Sequence, residues 1–279
     1  MQKVSHPVKV KDFCIGDRSR LTVISGPCSI ESEEHAFFCA EHLKEIAEKL
    51  PVNFIFKASY DKANRTSLNS FRGCGMSEGL RILKRIKEEL DLPIISDVHS
   101  VEEIDQVAAV CDILQIPAFL CRQTDLIVKA AQTGLPLHVK KGQFLSPYGM
   151  GNIVDKIRSQ GNESIILTDR GFVFGYSELI TDIRSMPIMR SFGTPVGFDA
   201  SHSVQRMAAK EKETGGDREF IPYLAKAAVA AGCDLIFIES HPNPEQAKSD
   251  KDCVYPLDTL PTLLEQLVDI FELVNRHES

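Results

Sequence analysis

Between Lys57 and Ser67 the chain runs Lys-Ala-Ser-Tyr-Asp-Lys-Ala-Asn-Arg-Thr-Ser, with two lysines and an arginine inside nine residues, among short hydroxyl and amide side chains. Charge-assisted hydrogen bonds to anions are strong, so this run suits a phosphorylated or carboxylated ligand. Solvation of a surface accounts for scattered lysines, but not for a lysine that ends an apolar run, as Lys57 ends Asn53 to Phe56. Lys140 and Lys141 follow another apolar run and Arg170 a third, which adds three cations to the set. Several cations round one mouth repel each other unless dianionic ligands fill it, so phosphate binding is favoured over a purely structural charge network.

A second constellation joins Cys28, His202, Glu239 and Asp250, again beyond the ends of separate apolar runs. Thiol, imidazole and carboxylate together fit a mononuclear site for a borderline divalent ion such as Zn, Fe or Mn, with a position left for water or substrate. The spacing forms no local motif. Cys28 as a small buried hydrophobe and His202 as a hydrogen-bonded residue of the mouth is the competing reading. Apart from His99 and His202, the other six histidines show no comparable setting.

Elements must bring these residues together. Eight short apolar runs without polar alternation are spaced along the chain: 21–26, 53–56, 93–96, 112–114, 136–139, 164–168, 195–201 and 234–238. They end beside Cys28, Lys57, Asp97, Gln115, Lys140, Asp169 with Arg170, His202 and Glu239. Such runs, separated by helical patterns, are what parallel strands covered on both faces look like. Eight of them predict an α/β fold of the (β/α)8 TIM-barrel type, in which residues at the carboxyl ends of the strands converge on one mouth.

Helical periodicity is regular between the runs. Ser32 is the expected N-cap of a helix to Leu50, with Cys39 on its packed stripe, and Ser100 with Glu103 forms a capping box. Gly75 and Ser77 precede an expected helix through Leu80, Leu83, Ile86 and Leu90, and further helices are expected over Gln123 to Gln132, Met150 to Ser159, Tyr176 to about Arg184, Phe220 to Ala231 and Leu260 to about Val274. Residues 1–20, with Val8 to Val10 and a turn at Gly16-Asp17, form a short N-terminal hairpin that plugs the other end of the barrel. Residues 1–279 make a single barrel domain on this reading. Two connections are long and polar: Ser203 to Glu219 with its glycine pair, either a lid or a surface loop, and His241 to Pro256, which can fold back over the mouth.

The 279 residues carry 39 acidic and 32 basic side chains, a net charge of −7, which gives no electrostatic footprint for nucleic acid. No window is long and apolar enough to span a membrane, and Met1 to Phe13 lacks the apolar centre of a signal peptide. A cytoplasmic protein is expected. Eight cysteines with no C-x-x-C pair argue for reduced thiols.

Taken together, Gly26-Pro-Cys-Ser-Ile-Glu-Ser32, the 57–67 run, Asp97-Val-His99, Gln115 to Asp125, Val139-Lys-Lys-Gly-Gln-Phe144, Asp169-Arg-Gly171, Phe198-Asp-Ala-Ser-His202 and Ile238-Glu-Ser-His-Pro242 closely resemble the 3-deoxy-D-manno-octulosonate 8-phosphate synthases. The resemblance runs in unbroken order from about Leu21 to Leu257. Gly-Pro-Cys-Ser alone is also similar to the 3-deoxy-D-arabino-heptulosonate 7-phosphate synthases, which typically show Lys-Pro-Arg-Thr where this chain has Lys-Ala-Asn-Arg-Thr-Ser.

The resemblance implies condensation of phosphoenolpyruvate with D-arabinose 5-phosphate and water, giving 3-deoxy-D-manno-octulosonate 8-phosphate and phosphate for lipopolysaccharide synthesis. It implies Lys57, Lys62, Gln115, Lys140 and Arg170 on phosphoenolpyruvate, Asn64, Arg65 and Thr66 on the sugar phosphate, and Asp97 on sugar hydroxyls. Lys62, Lys140, Arg170, His202 and Asp97 are the catalytic set it implies, in a homotetramer whose Arg65-Thr66 segment reaches a neighbouring site. Family members with Cys at the first ligand position are metal-dependent and those with Asn are not. Cys28 and Gly142 therefore imply one divalent ion per subunit on Cys28, His202, Glu239 and Asp250. Asp-Lys-Asp-Cys-Val-Tyr at 250–255 departs from the family's common Asp-Gly-Pro run, and Thr66 and Ser201 each keep a hydroxyl where the partner residue is common. A heptulosonate synthase and a noncatalytic sugar-phosphate-binding barrel are the alternatives.

Overall fold

The computed structural model describes residues 2–65, 67–176, 178–206 and 215–276. An antiparallel hairpin comes first, β1 (Val8–Val10) and β2 (Phe13–Ile15), with Val10 opposite Phe13. Its turn is therefore Lys11-Asp12, with Lys11 at φ 46, and not Gly16-Asp17; Gly16, at φ 90, serves the link into the next strand. The barrel strands are β3 (Leu21–Gly26), β4 (Val52–Lys57), β5 (Ile94–Asp97), β6 (Ile113–Ile116), β7 (Leu137–Lys140) and β8 (Ile165–Asp169). A small hairpin, β9 (Phe172–Phe174) with β10 (Glu178–Ile180), follows. Next come barrel strand β11 (Val196–Asp199), the short antiparallel pair β12 (Gln205–Arg206) and β13 (Gly215–Gly216), barrel strand β14 (Leu235–His241) and β15 (Tyr255–Pro256) beside it. Parallel pairing runs from β3 through β8 to β11, and β11 pairs with β14, which pairs with β3, so eight strands close the barrel.

Helices cover it: α1 (Glu33–Glu48), α2 (Met76–Leu90), α3 (Ile104–Ala108), α4 (Thr124–Gln132), α5 (Gly151–Arg158), α6 (Ser185–Arg190), α7 (Ile221–Ala230) and α8 (Leu260–Asn275). Ser32 caps α1 as expected, its hydroxyl accepting the His35 N–H at 3.1 Å. The Ser100–Glu103 capping box does not form. Glu103 Oε2 instead accepts the His99 N–H at 2.8 Å and the Tyr60 hydroxyl at 2.7 Å, stronger calls on a half-buried carboxylate than a cap that solvent can supply. The helix expected from Tyr176 to Arg184 is also absent: β10 lies there, and α6 starts only at Ser185. Gly175 at φ 62 turns the chain so that Phe172 to Phe174 pairs with Glu178 to Ile180, and β-branched and aromatic residues suit that pairing better than a helix.

Two apolar layers result. The outer one lies between strands and helices and includes Leu21, Val23, Leu114 and Val139 with Leu43, Leu83 and Leu264. The inner one fills the barrel with Ile24, Ile55, Ile95, Ile113, Ile166, Leu235 and Phe237, and Val8, Val10 and Ile15 of the first hairpin pack against it. The hairpin therefore plugs the amino end, which leaves the carboxyl end for chemistry.

Candidate active site

Pleating puts every second strand residue on the inner face, so the inner isoleucines dictate what stands above them. Two residues beyond Ile55, Ile95 and Ile113 come Lys57, Asp97 and Gln115; beyond Phe237 comes Glu239, and beyond His138 comes Lys140. These five line one cavity of about 570 Å³, as do Lys62, Asn64, Arg65, Arg170, His202 and Asp250. Thr66, expected on the sugar phosphate, lies outside the described residues. Ala247 to Lys251 also line the cavity, so the 241–256 connection folds back over the mouth as expected. Of the 203–219 connection, read as a lid or a surface loop, Gln205 lines the cavity and β12 pairs with β13, while 207–214 lie outside the described residues.

Cations and carboxylates alternate in this mouth, which is how so many buried charges coexist. Lys57 Nζ donates to Glu239 Oε1 at 2.7 Å and to the Cys28 carbonyl at 3.1 Å, and Lys62 Nζ stands 3.9 Å from the same carboxylate oxygen. Burial works against the Lys62 charge, but Cys28, Glu239, Asp97 and Asp250 hold its pKa well above the ordinary lysine value. Lys140 Nζ donates to Asp199 Oδ2 at 2.7 Å and sits 3.1 Å from the centre of the Phe237 ring. Burial dominates there and pulls Lys140 down to about 8. Arg170 Nη2 donates to the His202 carbonyl at 3.2 Å and to Gln205 Oε1, while its Nε is buried without a partner. Arg65 donates to Ser249 Oγ at 2.7 Å, fastening the 57–67 run to the Asp250 segment.

Asp97 accepts from His99 Nε2 at 2.9 Å and from the Ser59 hydroxyl. Burial alone raises a carboxyl, yet the His99 bond and charge with Lys57 and Lys62 hold Asp97 well below the usual range. It is an anionic acceptor ready for hydroxyl donors. His138 is buried beneath, its Nδ1 3.1 Å from Gln115 Oε1 and its Nε2 2.7 Å from Thr168 Oγ1. Burial, then the Lys140 charge, push His138 well below its ordinary value, so the ring is neutral. With its oxygen engaged, Gln115 turns amide N–H donors to the cavity.

Cys28, Glu239 and Asp250 offer ligand atoms within 4.8 Å of one another, with Cys28 Sγ 3.1 Å from Asp250 Oδ2. His202 Nε2 stands 3.6 Å from Glu239 Oε2, a buried oxygen with no hydrogen-bond partner. His202 Nδ1 is held by Asp199 Oδ2 at 2.8 Å, which turns Nε2 toward the Glu239 carboxylate. Burial, with Glu239 and Asp250 close by, pushes the Cys28 thiol well up. Thiol, two carboxylates and an oriented imidazole nitrogen with one orphaned oxygen fit a divalent ion of borderline softness. Gly26 lets the Cys28 segment approach β4, because a Cβ there would meet the Lys57 carbonyl oxygen at 2.0 Å.

With that geometry in place, a sequence profile described as the DAHP synthetase I family matches residues 4–276. The chain belongs to the DAHP synthetase I family. Within it, the chain is 55% identical to a 2-dehydro-3-deoxyphosphooctonate aldolase of Protochlamydia amoebophila, over 96% of this chain and 98% of that one. It is 53% identical to the protein of the same name in Geobacter metallireducens and 54% identical to that of Geobacter sulfurreducens, each over 97% of this chain and 100% of the relative.

Some assignments from sequence need correction. Lys141 does not share the mouth: it is fully buried, 3.0 Å from Asp169 Oδ1 and 3.7 Å from the centre of the Phe172 ring, because its neighbour Lys140 takes the inner face. Asp169 likewise serves Lys141 and the Ser185 hydroxyl, 2.9 Å away, and not the cavity. His138 has a definite setting after all, as do His35 and His241 beside Glu31. Asp199, inside the Phe198 to His202 motif, is a further site residue, since it holds both Lys140 and His202. Its place two residues above the inward Gly197 on β11 was the available signal.

Proposed function

We propose that this chain condenses phosphoenolpyruvate with D-arabinose 5-phosphate and water to 3-deoxy-D-manno-octulosonate 8-phosphate and inorganic phosphate. Support comes from full-length relatives named 2-dehydro-3-deoxyphosphooctonate aldolase and, in the fold itself, from Lys62, Lys140 and Arg170 lining one cavity with Asn64 and Arg65. Two phosphorylated anions need such a set.

Lys57, Lys62, Gln115, Lys140 and Arg170 take the carboxylate and phosphate of phosphoenolpyruvate. Asn64, Arg65 and Thr66 take the sugar phosphate, and Asp97 accepts from sugar hydroxyls. C3 of the enol attacks the aldehyde carbon with the electron pair of the enol double bond, the C=O π pair moves to the aldehyde oxygen, and that oxygen takes the proton that the water adding at C2 gives up. Water adds at C2, and the C2–O bond to phosphate breaks, with phosphate taking the pair. Alignment of the two reactants is worth about 7 to 11 kcal/mol in well-oriented cases. Fixed cations stabilise the anionic oxygens as charge develops at C2.

Cys28, His202, Glu239 and Asp250 hold one divalent ion per subunit, Zn, Fe or Mn. Held by these residues, such an ion would supply Lewis-acid chemistry for water or substrate. Asp199 orients His202, and Lys57 keeps Glu239 ionised.

The product feeds lipopolysaccharide synthesis in the cytoplasm, on this reading. Among the described residues no helix is long and apolar enough to cross a membrane. A homotetramer is proposed as well, supported by the fully exposed Leu68 beside the Arg65 segment and by exposed Phe174 and Tyr176 on the small hairpin. Phosphate release from phosphoenolpyruvate, measured with arabinose 5-phosphate and with erythrose 4-phosphate, tests the assignment. Faster turnover with erythrose 4-phosphate favours a heptulosonate synthase; binding of both ligands without phosphate release favours a noncatalytic barrel.

A further inference from the structure

Glu31 just before α1, His35 in its first turn and His241 at the end of β14 meet at a place the proposed reaction does not use. One ligand atom from each lies within 4.8 Å of those of the other two, and none of the three residues lines the mouth cavity. The imidazole rings tilt at 37° with centroids 4.6 Å apart, and Glu31 Oε1 stands 3.4 Å from His241 Nε2. His241 is only 5% exposed, and its Nε2 and the Nδ1 of His35 are both buried without a hydrogen-bond partner. Buried polar nitrogens without partners are uncommon and point to a ligand that satisfies them.

We propose that Glu31, His35 and His241 form a second divalent-metal site, of zinc type, with two imidazole nitrogens and one carboxylate oxygen as ligands and water in the remaining position. Ligand atoms on a tetrahedral zinc stand about 3.3 Å apart, given bonds of about 2.0 Å. The Glu31–His241 pair, at 3.4 Å, already has that spacing, and a His35 ligand atom lies within 4.8 Å of both.

Local bonds set the affinity and the consequence. His241 Nδ1 accepts the Asn243 N–H at 2.9 Å, so coordination through Nε2 moves the ring proton to Nδ1 and breaks that bond. The affinity is then weaker, by on the order of tenfold, than that of the same ligands without that bond. Glu31 Oε1 also accepts the Lys248 N–H at 2.9 Å, which ties the site to the segment that carries Asp250. An ion here braces that segment from outside the cavity.

Equilibrium dialysis of the demetallated full chain against micromolar zinc, with bound zinc counted by atomic absorption, tests the proposal. His35→Ala and His35→Gln are expected to bind one equivalent less than the parent, with unchanged phosphate release at saturating substrates. A Cys28→Ala/His202→Ala variant is expected to keep that equivalent and to gain thermal stability from zinc. Because the readout is a difference, it holds whether or not the Cys28 site takes an ion. Equal zinc counts in the parent and both His35 variants overturn the proposal. Should the His35 variants fail to fold, absence of bound zinc in the Cys28→Ala/His202→Ala variant overturns it.

Discussion

Asp199 Oδ2 accepts from Lys140 Nζ at 2.7 Å and from His202 Nδ1 at 2.8 Å, so one buried oxygen joins the phosphate-binding side of the mouth to the metal-type side. Burial opposes its charge, but His202, Lys140 and Arg170 hold Asp199 well below the usual carboxylate range. Asp199→Asn keeps the shape and removes the charge. The variant is expected to lose about 10- to 100-fold in metal affinity or in kcat/KM, as do other residues that orient a ligating imidazole. Metal titration with steady-state kinetics checks this; an unchanged variant shows that Asp199 is a spectator.

Lys140 gives the pH dependence. Its pKa, lowered to about 8, means that the free protein loses this cation as pH rises through that value. Anion capture weakens on the alkaline side, and kcat/KM for phosphoenolpyruvate, which reports the free enzyme, is expected to fall above pH 8. Bound phosphate favours the ammonium, so the corresponding break in kcat lies higher. A profile of kcat/KM that stays flat from pH 7 to 9.5 contradicts this.

Lys141 separates folding from binding. Removing one partner of a buried ion pair leaves the other uncompensated and costs about 3–5 kcal/mol. Lys141→Met strands Asp169 and is expected to lower unfolding free energy by that amount in urea titration, with little change in phosphoenolpyruvate affinity of the folded protein. Loss of affinity without loss of stability places Lys141 in the mouth instead.

Chelation bears on the Cys28 cluster. Complete demetallation is expected to lower phosphate release at least about 10-fold, with recovery on adding Zn, Mn or Fe. Cys28→Asn is expected to keep partial activity that chelator does not remove, since Lys57 and Asp199 still hold the surrounding carboxylate and imidazole. Full activity of the demetallated parent rejects metal dependence and leaves the synthase assignment standing.

Much of this was legible in the residues because strand ends are local signals. A buried apolar run that stops at Lys57, Asp97, Gln115 or Lys140 declares both the strand and the residue facing the mouth. Orientation at doubled positions was harder: Lys140 and Lys141 read alike, and only the period-two pleat, set by His138 facing inward beneath Lys140, separates them. The stretch from Tyr176 to Arg184 misled because an apolar run too short to show its period suits either element, and the partner that decides it, Phe172 to Phe174, precedes it. His138 and the Glu31–His35–His241 group are long-range arrangements with no local spacing to announce them.

Product analysis after mixing phosphoenolpyruvate with each aldose phosphate, with mass and phosphate release measured together, bears most directly on the central claim. Expected is an eight-carbon 3-deoxy-2-ulosonate phosphate from arabinose 5-phosphate, formed with one phosphate per turnover and lost in Lys62→Ala and Arg170→Ala. A seven-carbon product formed faster from erythrose 4-phosphate, or an undiminished rate in both variants, contradicts it.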